Sequence, residues 1–273
     1  MGTPKAALEW HGSTLLRRTT GILARAVGGP VAVVRAPAQP IPPLGHGVEV
    51  HDDPREGLGP LQGLAAALAA VGDRAETAFV CSVDLPFLHS VFVRRVLAGF
   101  DEVTPAGDVD VVLPHAHGHP QPLAAGYRTS LAAVVDRLVA VGQLRPAFLF
   151  AECRVRRLDA ATLLADAALA AADPDLDSLL NVNTPEDYRA ARARPAPTVS
   201  VECFGVRAAA AAGERRMVHA ATLGAAAASV RLRLDDDVTA TVDGEPPVDG
   251  AQTPLLPGDA VVFRSADSRR EGR

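Results

Sequence analysis

The chain has 273 residues and a formal net charge of −5, with 48% apolar residues. That length suits one large domain followed by a small one, with enough apolar material for a sizeable core. The acidic balance argues against a nucleic-acid or anionic-membrane binder, and an aromatic share of 4% argues against a base-stacking platform.

In chain order, Ser13 is placed to cap a helix whose apolar face is Leu15, Leu16, Thr19, Ile22, Leu23 and Ala26. Residues 30–34 read as a short buried strand and 48–51 as another. Residues 61–71 carry a helical pattern. Residues 77–83 (TAFVCSV) form the best central-strand candidate, 90–100 a helix, and 109–113 a further strand. This alternation predicts an α/β fold: a Rossmann-like, mostly parallel sheet with helices on both faces, spanning residues 1–192. In such sheets ligands sit at the carboxyl ends of the strands. Residues 193–197 read as a linker. Beyond it, 198–204 alternates like a half-exposed strand, Thr222 caps a short Ala-rich helix ending near Val230, and 238–242 is a strand. Asp243-Gly244 signals a turn, and 260–264 is a last strand. Residues 198–273 are therefore expected to form a small α+β domain.

Four segments carry candidate chemistry. Val83-Asp84-Leu85-Pro86 puts a carboxylate at the end of the apolar strand, where a hard divalent cation such as Mg²⁺ is held by few protein ligands plus phosphate oxygens. The alternative is that Asp84 caps the following helix. Asn181 and Asn183, one residue apart, present side chains on one side if extended and offer neutral oxygen ligands. Thr184, Pro185 and Asp187 behind them have the pattern of a helix cap. Gly57, Gly59 and Gly63, after Asp52-Asp53, allow a ligand close to the backbone before a helix, or simply make a loop. Lys5, in a Gly/Pro-containing start, is a point charge available to phosphates, or an ordinary surface lysine.

Taken in order, these segments resemble the molybdenum-cofactor guanylyltransferase family. Met1-Gly2 and Lys5-Ala6 look like the tail of its Gly-Gly-x-Ser-x-Arg-Met-Gly signature. Gly59-Pro60-Leu61-x-Gly63, Val83-Asp84-Leu85-Pro86-Phe87, Gly118-His119-Pro120-Gln121-Pro122-Leu123 and Asn181-Val182-Asn183-Thr184-Pro185-Glu186-Asp187 are similar to its later motifs. The resemblance implies GMP transfer from GTP to molybdopterin with Mg²⁺, with CTP as the substrate of related enzymes. It implies that Gly2 and Lys5 meet the triphosphate, that Asp53 or Asp52 with Gly59 and Gly63 lie near base and ribose, and that Asp84 binds the metal with Asn181 or Asn183. Lys5 and Asp84 would be the catalytic pair. The signature's first strand and glycine-rich loop are not among these residues, and the expectation is that they are encoded upstream. A non-catalytic adaptor of the same pathway, or a transferase for another small phosphate, is the alternative.

Residues 198–273 resemble the molybdopterin-synthase small subunit, a ubiquitin-like (β-grasp) sulfur carrier, through Val201-x-x-Phe204-Gly205, Ala221-Thr222-Leu223-Gly224, Val242-Asp243-Gly244 and Gly258-Asp259. The chain ends Arg270-Glu271-Gly272-Arg273 in place of a Gly-Gly tail. A non-carrier role, such as docking to other enzymes of the cofactor pathway, is therefore expected over that of a sulfur carrier.

Other features draw blander readings. Cys81, Cys153 and Cys203 include no CxxC pair, which speaks against zinc and for a reducing compartment. Cys81 is read as a buried small hydrophobe and Trp10 as packing. His115, His117 and His119 fall in a turn and are read as solvated. Arg17-Arg18 and Arg94-Arg95 are read as solvated helix faces, with guidance of an anionic pterin phosphate as the alternative. No apolar leader is visible, and no run reaches the roughly 20 apolar residues that span a bilayer. The expectation is a soluble, cytoplasmic protein without nucleic-acid or membrane partners.

Overall fold

A computed structural model describes residues 4–55, 57, 59–102, 107–206 and 214–265. After a turn at Lys5–Ala7, a small hairpin pairs β1 (Glu9–Trp10) with β2 (Ser13–Thr14) and leads into α1 (Leu15–Ala26). Thr14, not Ser13, caps α1. The hairpin tip, with His11 at φ 45° and Gly12 at φ 91°, locks Ser13 into β2. Thr14 then stands at the helix entry, where its hydroxyl accepts the Arg17 N–H at 3.3 Å.

β3 (Val31–Arg35) and β4 (Val48–Asp52) pair in parallel, followed by α2 (Pro60–Val71), with Pro60 in the first turn where a missing N–H is harmless. Then come β5 (Thr77–Cys81), α3 (Ser90–Ala98), β6 (Val111–Ala116), β7 (His119–Pro120) and β8 (Ala124–Arg128). The large module ends with α4 (Ala132–Ala140), α5 (Pro146–Glu152), β9 (Val155–Asp159), α6 (Ala160–Leu164), α7 (Ala167–Ala172) and α8 (Pro185–Ala193). β8 lies antiparallel between β5 and β6, and β9 joins β6 in parallel. Three of these four strands thus run one way, as the sequence predicts. Apolar clusters cover both faces. One is built on Ile22, Phe92 and Leu163, the other on Leu61, Tyr127 and Leu138. The α/β layering follows from this two-sided burial.

The second module is a four-stranded mixed sheet in the order β11 (Arg216–His219), β10 (Thr198–Phe204), β13 (Ala260–Ser265), β12 (Val238–Val242). β10 and β13 are parallel in the middle. α9 (Leu223–Ser229) packs on it with Thr222 as its cap, and Asp243 and Gly244 turn at φ 53° and 85°. Val199, Val201 and Cys203 of β10 are buried while their neighbours are not, the alternation of a one-sided sheet.

The modules are clamped together along α1. Arg17 grips Asp249 with two bonds of 2.7 and 2.9 Å, and Arg25 grips Asp259 with bonds of 2.6 and 2.9 Å. Arg18 is 5% exposed and donates to the carbonyls of Pro86 (3.1 Å) and Leu255 (3.3 Å). Arg17 and Arg18 therefore do not lie on a solvated face. The loop from β12 to β13 covers them, because Gly21 lets Pro254 seat against α1; an added Cβ would sit 2.7 Å from its ring. Arg95 is likewise drawn into an ion pair with Glu102 at 2.8 Å. Leu256, 1% exposed, belongs to the apolar cluster of the large module. Among the described residues, no helix is long and apolar enough to cross a membrane.

Candidate functional site

β5 ends at Cys81, and the chain leaves it carrying Ser82, Val83 and Asp84. The Asp84 carbonyl accepts the Val182 N–H at 2.9 Å, which lays the Asn181-Val182-Asn183 segment alongside the strand end. Val182 is buried beside Trp10, Leu15 and Ala191, so its two asparagine neighbours are turned to the surface. The segment is fixed from behind by α8. Thr184 and Asp187 form a reciprocal capping box, and the Asp187 carboxylate also takes the Asn183 N–H at 3.1 Å. These backbone bonds, led by the one from Thr184, hold the Asp187 carboxyl below the ordinary carboxylate value.

Lys5 completes the group. Its ammonium lies 2.9 Å from Asp84 Oδ2 and 3.0 Å from Asn183 Oδ1. Tyr188 and Arg192 of α8 keep this arm in place by bonding the Glu9 carbonyl (2.6 Å) and carboxylate (2.7 Å). The Arg192 guanidinium holds the Glu9 carboxyl below its usual range. The Asp84 side chain is 13% exposed and that of Lys5 is 32% exposed, so the pair is shielded yet reachable. Two side-chain oxygens converge on one cationic centre, the donor set a hard cation takes. Asp84 is not a helix cap: α3 is capped by His89, whose Nδ1 accepts the Val91 N–H at 3.2 Å.

The sequence reading passed over Ser82, whose hydroxyl donates to Asp84 Oδ1. Both residues lie past the end of β5, where the chain turns, and it is the turn that brings hydroxyl and carboxylate together. Asn181 is exposed and makes no side-chain hydrogen bond among the described residues. Gly2 lies outside the described residues.

A cavity of about 610 Å³ opens beside this cluster; Ala6, Ser82 and Val83 lie on its wall together with Asp53 and Gly63. The structure thus brings these two predicted residues to the same cleft. An added Cβ at Gly63 would meet nothing within 4 Å. Gly59 stands just before α2 at φ 79°, a conformation that favours glycine. Asp52 is turned away into an ion pair with Arg35 at 2.8 Å. Burial pushes the Cys81 thiol up to about 12, so it is packing rather than a nucleophile. His117 and Gly118 make the tip of the β6–β7 hairpin, with His115 and His119 exposed beside it. Among the described residues no cluster of three His, Cys, Asp or Glu is spaced for a metal.

Residues 1–154 match the MobA-like NTP transferase domain. The chain belongs to the MobA-like NTP transferase family. The probable molybdenum cofactor guanylyltransferase of Mycobacterium ulcerans (strain Agy99) is 36% identical over 193 residues, covering 70% of this chain and 86% of that protein. The protein of the same name from Mycobacterium tuberculosis (strain ATCC 25618 / H37Rv) is 39% identical over 146 residues, 52% of this chain and 69% of its own length. Among solved structures, the molybdopterin-guanine dinucleotide biosynthesis protein A of Archaeoglobus fulgidus aligns with a TM-score of 0.52 at 21% identity, covering 70% of this chain and 90% of that one. This MobA-like chain is thus a nucleotidyltransferase by family. Lys5, Asp53, Gly63 and Asp84 all fall inside the matched residues, while Asn181 and Asn183 lie beyond them.

Proposed function

We propose that the protein transfers GMP from GTP to the terminal phosphate of molybdopterin, with Mg²⁺ as cofactor. The observation that carries this reading is the convergence of Asp84 Oδ2 and Asn183 Oδ1 on one cationic centre beside an open cleft. The names of the mycobacterial relatives support the choice of substrates. A phosphate oxygen of molybdopterin attacks the α-phosphorus of GTP, the bond to the β-phosphate oxygen breaks, and pyrophosphate leaves. The attacking group is already an anion, so no protein base is required. The work of the chain is positioning and charge neutralisation.

The Lys5 ammonium stands where a divalent ion would be held, and the oxygens around it fit one. Asp84 and Asn183 would be its protein ligands, with Asn181 offered by the same segment, and its charge would offset that of the phosphates. Lys5 is proposed to bind phosphate oxygens, with Gly2 beside it. Asp53, Gly59 and Gly63 are proposed to border the base and ribose, because Asp53 and Gly63 line the cleft and Gly59 opens the helix that borders it. Ser82 holds the Asp84 carboxylate in its rotamer.

We further propose that residues 198–273 form a β-grasp domain serving as a docking module for other enzymes of the pathway, in a cytoplasmic setting. The strand order, with the first and last strands parallel in the middle and one helix across the sheet, supports that reading. The 266–273 tail lies outside the described residues.

The test is a nucleotide panel. GTP with Mg²⁺ should raise the melting temperature more than CTP or ATP, and molybdopterin should then release pyrophosphate. A chain that shows no nucleotide-dependent shift, or releases pyrophosphate faster with a sugar phosphate, would sink the proposal.

A further inference from the structure

A second cavity, of about 320 Å³, lies on the seam between the modules. The β1–β2 hairpin, α1, the segment leading into α3 and residues 172–177 build most of its wall, and Thr198 and Pro257 of the second module complete it. Three nearly covered side chains border it, each with a nitrogen left unbonded: Trp10, Arg18 and His89, which are 2%, 5% and 6% exposed. Arg18 commits Nε and Nη1 to the carbonyls of Pro86, Ala221 and Leu255, all of them neutral. Its Nη2 and the Trp10 Nε1 donate to nothing among the described residues, and neither is sealed from solvent. His89 accepts the Val91 N–H on Nδ1, so its proton sits on Nε2. That Nε2 is buried and makes no hydrogen bond, although the Pro257 carbonyl is close.

We propose that this cavity binds a small monocarboxylate with an apolar body. Arg18 carries the argument. Among the described residues it forms no ion pair, and the carboxylate that acts on it from a distance, Asp259, is already bonded twice by Arg25. A covered guanidinium keeps its proton at neutral pH, and a covered charge without a partner is costly. A carboxylate in the cavity supplies the missing charge and accepts from the three unbonded N–H groups at once. Its body lies against Trp10 and Phe87, whose rings meet edge to face at 5.4 Å. The rest of the wall selects one negative charge over two. Asp173, Asp175 and Asp177 stand on it. Asp173 accepts the N–H groups of Asp177 and Ser178, and Asp177 pairs with Arg194. His11, held below its ordinary pKa by burial first of all, adds no charge at neutral pH. Arg18 alone is left to be neutralised, and a dianion would face the carboxylates with no second cation. The cavity opens beside Pro174, Asp175 and Arg194, which are exposed. No residue of the Lys5–Asp84–Asn183 cluster lines it, so the inference stands apart from the catalytic proposal.

Trp10 is the only tryptophan of the chain, so its emission reports on this cavity. The probe is benzoate, titrated into the full chain, and it should change that emission saturably with a Kd of about 1 mM or tighter. Benzamide has the same shape without the charge, and phenyl phosphate carries a second charge. Each should bind the unaltered protein roughly tenfold or more weakly than benzoate. Arg18→Met keeps the length of the side chain and removes the guanidinium, and should weaken benzoate by about tenfold or more. Ala172→Phe adds bulk at the wall, leaves all three donors in place, and should have the same effect. The comparison of the three probes needs no variant, so an Arg18→Met chain that fails to fold leaves the test intact. No saturable change with benzoate, or equal affinity for benzamide or phenyl phosphate, would overturn the proposal. So would undiminished benzoate binding by either variant in folded form.

Discussion

Two ion pairs of this protein look alike on paper and are built for different ends. Lys5–Asp84 spans 2.9 Å and Arg25–Asp259 spans 2.6 Å. In the second, both side chains are nearly covered, 11% and 5% exposed, and Asp259 is saturated by two guanidinium bonds and the Leu256 N–H. Burial, helped by the nearby Asp243 charge, lifts the Asp259 carboxyl above its ordinary value, and Arg25 works against that lift. In the first, the lysine is a third exposed, the ammonium keeps donor capacity to spare, and Asn183 shares it. A saturated, covered pair fixes two modules in one arrangement. An open pair of carboxylate and cation can exchange partners, which binding a charged substrate requires.

Breaking each pair should separate these roles. Asp84→Ala is expected to lower turnover by about a hundredfold to a thousandfold, with little change in melting temperature; steady-state pyrophosphate release and thermal unfolding together check this. Unaltered turnover would remove Asp84 from the mechanism. Asp259→Ala should do the reverse, destabilising the fold by about 2 kcal/mol, because the covered Arg25 loses two bonds and keeps only the Pro254 carbonyl and the more exposed Asp243. Urea titration would reveal it, and a loss below about 1 kcal/mol would mean the clamp is not energetically coupled to folding. Next in size, Lys5→Met is expected to raise KM for the nucleotide roughly tenfold, about 1.4 kcal/mol of binding, without a matching fall in stability.

Two smaller effects lie in the acid range. Burial holds the His89 imidazole below its ordinary 6.5. The unfolded chain therefore takes up this proton more readily than the folded one, and stability present above pH 6.5 is lost as the pH falls through and below it. His89→Asn keeps a capping side chain and should flatten that slope in melting curves; an unchanged slope would clear His89. Glu49 is held down to about 2, first by Arg74 and then by His51. Its share of stability is present above the ordinary 4.5 and fades as the pH falls towards 2. Because the pair is exposed, Arg74→Ala should hardly alter melting at neutral pH and should only soften the acid limb.

Much of the large module was legible because its signals are local. The apolar run at 77–83, the helical pattern at 61–71 and the Thr184–Asp187 box each fix their element through contacts within a few residues. The candidate site was legible in pieces. Asp84 and Asn183 announce themselves by their place at element ends, yet they are 99 positions apart in the sequence. Ser82 was missed because the apolar run reads as strand through Val83, whereas the strand ends at Cys81 and the turn after it aims the hydroxyl at Asp84. The charges of α1 were misread for the opposite reason. Arg17 and Arg18 have the spacing of a solvent face, and nothing near them in sequence announces Asp249 or the Leu255 carbonyl.

The amino-acid order by itself determined many of the helices and strands before residue 114 and after residue 197, their apolar faces, and that a carboxylate follows the strand of 77–81. Those outcomes follow from side-chain period and backbone preference, which act over a few residues. Tertiary structure alone decided that Lys5, Asp84 and Asn183 meet, that the second module is locked to α1, and that Trp10, Arg18 and His89 border one cavity. These depend on which edges and charges find partners tens to more than two hundred residues away, and local sequence carries no record of such pairings.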